Sequence, residues 1–161
     1  MTSRRIFLGL ALSAAAVGAA SLLIGNPATN PASAQQATVF TRDGLAVSGY
    51  DPVAYFTESK PVQGNPAIAL DHGGARYIFS SEANREAFRK DPAKFAPQYG
   101  GYCAWAVSHG AKADADPTAW SIHEGRLFLN LNRSVHQSWV ANLPANISRA
   151  DANWPKLAEG R

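Results

Sequence analysis

The chain has 161 residues, 46% of them hydrophobic and 17% charged. That is enough apolar material for one packed domain and too much for a disordered tail or a collagen-like fibre. Its formal charge is +3, but Arg4 and Arg5 are the only charged residues among the first 34, so residues 35–161 carry 13 bases against 12 acids and no basic run longer than Arg89-Lys90, which excludes a basic nucleic-acid-binding face.

The chain opens on Ser3-Arg4-Arg5-Ile6-Phe7-Leu8, stays apolar and Ala-rich to Ile24, and reaches a small-residue site at Ala32-Ser33-Ala34. These are the three parts of a bacterial export signal, and the S-R-R-x-F-L arrangement resembles the twin-arginine type. The expectation is a leader over 1–34, a single domain over 35–161 beginning at Gln35, and a periplasmic or otherwise exported location without membrane contact after cleavage. The alternative is a retained anchor, since Ile6 to Ile24 just reaches across about 30 Å of hydrocarbon. Its Ala, Gly and Ser content makes it a weak span.

Beyond the leader, Thr38 to Thr41 and Leu45 to Val47 read as short strands around a tight Asp43-Gly44 turn. Ser48 to Pro52 bends the chain, and Asp51 is placed to accept hydrogen bonds from the backbone of that turn, so Asp51→Ala is expected to cost about 1 to 2 kcal/mol. Ile68 to Leu70 and Arg76 to Phe79 enclose a Gly-rich turn that carries His72. A helix follows, capped by Ser80 or Ser81, with Glu86 and Lys90 spaced for an i,i+4 pair. Asp91-Pro92 starts another helix, and the chain then runs to Gly100-Gly101. Tyr102 to His109 is too short to assign by periodicity. A third hairpin spans Trp120 to Asn130 around Glu124-Gly125-Arg126. Ser134 to Asn142 reads as a helix stopped by Pro144, and Ser148 to Asp151 as a capping box before a short last helix. Hairpins interleaved with short helices predict a small single α+β domain.

Cys103 is the only cysteine, so no internal disulfide can form. In an oxidising compartment such a residue is buried and inert, or else a ligand, a reactive thiol or half of an intermolecular bridge. The four histidines are His72, His109, His123 and His136, and none forms an H-x-x-x-H or H-E-x-x-H pair. On a helix, the six-residue spacing puts Cys103 and His109 about 120° apart, unable to share an ion. His123 lies on the strand face away from the core, suited to solvent or a shallow site. There is no G-x-S-x-G, P-loop or G-x-G-x-x-G, and Asp114 with Asp116 sits in a solvated turn, so acyl, phosphoryl and dinucleotide chemistry lack their scaffolds.

The order Tyr50-Asp51-Pro52-Val53, His72, Tyr77 to Ser81, Asn84, Phe88 and Asp91 to Phe95 resembles the YHS domain, with Tyr77, His72 and Ser81 as the naming residues. The continuation from Ala96 through Cys103, Asp116-Pro117, Trp120 and Asn153-Trp154-Pro155 looks like exported bacterial proteins of that family. The resemblance implies metal handling, because such modules occur in copper-transporting ATPases and oxygenase subunits. It also implies that metal-handling versions place cysteines where this chain has Ala54, Ser80 and Asn84. Alanine cannot coordinate, and a hydroxyl or amide is a poor ligand for ions that thiolates select. The remaining candidate pair is Cys103 with His72, each on a Gly-rich turn.

Two readings result. The first is an exported non-enzymatic module that binds copper, zinc or a small ligand through Cys103 and His72. The second is a structural or accessory domain acting through a protein partner, with Tyr50, Asp51 and Cys103 holding loops and packing the core. A thiol-dependent enzyme using Cys103 is a third and weaker reading, for want of a histidine held beside the sulfur.

Overall fold

The computed structural model describes residues 38–160, so the expected leader and its cleavage site lie outside the described residues. Six short strands build two sheets, one of four strands in the order β1-β2-β4-β3 and one hairpin, β5-β6. β1 (Thr41–Arg42) and β2 (Leu45–Ala46) pair antiparallel through Asp43 and Gly44 at φ 53° and 78°, the left-handed values a two-residue hairpin turn requires. β3 (Asn65–His72) and β4 (Ala75–Phe79) pair antiparallel around Gly73-Gly74, and β2 joins β4 through one parallel pair, Leu45 with Arg76. β5 (Asp116–His123) and β6 (Arg126–Asn130) turn on Glu124-Gly125. With six helices between and after them, these strands make the small α+β domain that the hairpin and helix signals predict.

The helices follow their caps. α1 is Ala54–Thr57. α2 (Glu82–Lys90) begins at Ser81, whose hydroxyl accepts from Asn84 N at 3.1 Å. α3 (Pro92–Phe95) begins at Asp91, which accepts from Lys94 N at 3.1 Å. The ambiguous 102–109 segment becomes α4 (Ala104–Ser108). α5 (Arg133–Val140) is capped by Asn132, and α6 runs from Leu143 to Ala158.

Two local expectations fail. Pro144 lies in the first turn of α6, where a missing N–H costs nothing, and Ser148 and Asp151 fall inside that helix instead of capping another. The stripe Leu143, Ile147, Ala150, Trp154 and Leu157 packs onto Tyr99 and Val107, and this burial outweighs both the capping signal and the internal Pro155. Glu86 pairs with Arg89 at 2.7 Å and not with Lys90, because Arg89 lies one turn on and its fork reaches two bonds to one carboxylate oxygen.

β6 divides the interior. Leu127 and Leu129 join Tyr55, Tyr77, Phe79 and Phe88 in one core cluster, while Phe128 joins Tyr99, Val107 and Trp139 in the other. Successive strand residues point to opposite faces, so a strand buried on both reads as the unbroken apolar run Leu127-Phe128-Leu129. Tyr55 ties the layers by donating its hydroxyl to Pro117 O at 2.8 Å.

Candidate functional site around Asp51

Val47, Ser48 and Gly49 all adopt left-handed backbone, with φ 54°, 51° and 81°. For a β-branched residue such as Val47 this is an outlier, held in place here by burial. The turn delivers Asp51 into the interior, where it is wholly buried. Its Oδ1 accepts from Val53 N at 2.8 Å and Ala54 N at 3.4 Å. Its Oδ2 accepts from Ser80 N at 2.8 Å, Ser80 Oγ at 2.7 Å and Asn84 Nδ2 at 2.7 Å. Asn84 Nδ2 also donates to Ser80 Oγ at 3.3 Å. A buried carboxylate is tolerable only when its lone pairs are filled, and these are. Three segments, the start of α1, the end of β4 and the first turn of α2, are thereby fastened to one side chain. Donors surround both carboxylate oxygens, so Asp51 acts as an anchor and is not poised to abstract a proton.

The residues behind the resemblance have legible roles. Tyr77 lies buried against Phe88 with ring centroids 4.7 Å apart, and burial pushes its hydroxyl up to about 12. His72, exposed at the end of β3, meets the Phe88 ring edge-on at 5.7 Å and 84°. Ser81 is the N-cap of α2.

Cys103 is 1% exposed. Its N–H donates to Ala113 O at 3.0 Å, its carbonyl accepts from Val107 N at 3.0 Å, and it bridges to Leu129 of β6. It is the N-cap residue of α4, and His109 is the C-cap of the same helix, so the two stand at opposite ends as their spacing implies. His72 belongs to the four-stranded sheet and Cys103 to the side of the hairpin sheet, with different neighbours. Among the described residues, no three of His, Cys, Asp and Glu gather as a potential ligand set.

A second polar group escapes sequence reasoning. Arg126 grips Asp151 with Nη2 and Nη1 at 2.7 and 3.0 Å, and its Nε donates to Gln98 at 3.0 Å. Tyr99 donates its hydroxyl to Asp151 at 2.8 Å from a backbone at φ 55°. The Arg126 guanidinium holds the Asp151 carboxyl below its ordinary range, while burial and that carboxylate push the Tyr99 hydroxyl up. Arg126 and Asp151 line an open cavity of about 450 Å³ with His123, Ser148 and Ile147. Its bonded pairs lie 25 to 52 residues apart, so no local motif could announce the group.

The fold and its Asp51 anchor define a small α+β domain built around a buried carboxylate. The family model of the YHS domain matches residues 53–99, from the residue before α1 to Tyr99. The matched segment includes Ala54, His72, Tyr77, Ser80, Ser81 and Asn84, and it ends before Cys103. No curated protein and no solved structure matches the chain.

Proposed function

We propose that this chain is an exported, non-enzymatic YHS-type module, an accessory domain acting through a protein partner, with Cys103 packed in the core. One observation carries the reading. Where the resemblance puts cysteines in metal-handling versions, the Ser80 and Asn84 side chains donate to Asp51, and Ala54 has no ligand atom and gives only its backbone N–H. A ligand set would present lone pairs to a cation, whereas these positions present N–H and O–H groups to an anion that the chain itself supplies. The buried sulfur of Cys103 supports the same reading, since thiol chemistry needs access. Export rests on Arg4, Arg5 and the Ala32-Ser33-Ala34 site.

The test is calorimetric titration of copper and of zinc into the wild type, Cys103→Ser and His72→Ala, together with the rate of Cys103 alkylation. Equal heats for the three proteins and slow alkylation with or without metal are expected. A soft ion shared by Cys103 and His72 would instead give binding lost in Cys103→Ser and a thiol protected on loading. That pair of results would overturn the accessory reading.

A further inference from the structure

Five side-chain atoms are buried without a hydrogen-bond partner among the described residues, and four of them lie where α5 covers the β5-β6 hairpin: Ser121 Oγ, Asn130 Nδ2, His136 Nε2 and Trp139 Nε1. A buried polar group without a partner costs free energy, so this layer is held less firmly than its apolar burial suggests. The two ends of α5 are fastened differently. At the C-terminal end, Asn146 of α6 donates to Trp139 O at 2.7 Å and to Ser138 O at 3.3 Å, and Trp139 is wholly buried against Phe128. At the N-terminal end the Asn132 side chain accepts from Val135 N at 2.9 Å, a bond local to the helix, and the tie to another element is the hydrogen bond between the His136 imidazole and the Trp120 backbone of β5. Leu131, just before that cap, is 44% exposed.

We propose that α5 is an acid-opened flap: protonation of His136 releases the N-terminal half of the helix from β5, while Asn146 holds the C-terminal half in place. The imidazole hydrogen-bonds to the Trp120 backbone on β5, which favours its charged form, but its Nε2 is buried without a partner, so a proton placed there meets no acceptor among the described residues. A proton taken up from solvent gives the ring two N–H donors and a positive charge. The only charged group acting on it is Arg133, one turn earlier on α5 and of the same sign; no carboxylate of β5, β6, α4 or α6 among the described residues compensates. Burial holds the docked imidazole below its ordinary value despite the Trp120 bond, so with α5 in place the ring binds its proton less tightly than in water. Lifted into water, it returns to about 6.5. The lifted state therefore binds more protons, and docking, fully favoured above about pH 6.5, weakens as pH falls below it.

The experiment is native-state amide hydrogen exchange of the purified protein between pH 7.5 and 5, corrected for intrinsic rates. Amides in the first half of α5, that of His136 among them, should open several-fold more at the acid end, the direction required when the lifted state binds the proton more tightly. α6 and β6 should not change. His136→Gln and His136→Leu should each remove the pH dependence, and a variant with His72, His109 and His123 all changed to Gln should keep it. PH-independent exchange in α5, equal acid opening of α5 and α6, or a response that survives both His136 variants would overturn the flap.

Discussion

Two buried polar groups lie on opposite sides of β6 and are treated in opposite ways. Around Asp51, five hydrogen bonds converge on one carboxylate and join segments up to 33 residues apart. Between the hairpin sheet and α5, four polar atoms are buried without a partner among the described residues. The first arrangement couples three elements into one unit, and the second weakens the hold of the N-terminal half of α5 on its sheet. Polar burial thus rigidifies one half of this domain and loosens the other, and the sign depends on satisfaction rather than on polarity.

Removing the anchor breaks this contrast most severely. Asp51→Ala should cost about 3 to 5 kcal/mol by urea denaturation, above the 1 to 2 expected from one turn, because it orphans donors from α1, β4 and α2 at once. A loss below about 1 kcal/mol would mean that the cage relaxes and that the two halves are alike.

The Arg126 and Asp151 pair sits between these extremes. With the Asp151 pKa lowered in the fold, its contribution is complete above about pH 4 and declines as pH falls through the folded value. Both side chains are part-exposed, so this should amount to no more than about 1 kcal/mol. Comparing wild type with Arg126→Leu by thermal melts from pH 6 to pH 2.5 measures it, and parallel pH profiles would rule it out.

The smallest effect should have the opposite sign. Ser121→Ala deletes a buried hydroxyl that bonds to nothing and should leave stability unchanged or raise it by up to about 1 kcal/mol. A clear loss in a differential scan would reveal a partner for Ser121 and erase the asymmetry.

Much of this architecture is legible in sequence because it is local. Asp43-Gly44, the Gly73-Gly74 turn, the Ser81 and Asp91 caps and the Leu127-Phe128-Leu129 run each declare themselves within a few residues. The bonds from Asp51 to its own turn are equally local, but those from Ser80 and Asn84 arrive from 29 and 33 residues away and need the fold to appear. Ser48 to Pro52 announces a bend, but the left-handed stretch Val47-Ser48-Gly49 carries only one glycine, so nothing local announces that the bend starts at a β-branched Val47. α6 runs longer than its local signals predict because a long apolar stripe overrides proline and a capping pattern. At Gly100 the reason for glycine is also tertiary: a Cβ there would lie 1.9 Å from Thr38 O, beneath the segment before β1 that donates Phe40 N to Gly100 O.

The burial of Cys103 has a consequence in time. With its sulfur inside the domain, oxidation or cross-linking waits on a molecule that has opened, so its rate counts open molecules. Under oxidising conditions, dimers form only when two open molecules meet, and their yield rises with the square of the open fraction. A population of well-folded chains would keep its single thiol reduced for long periods without any reductant. Each alkylated or bridged molecule would be a record that its fold had once come apart.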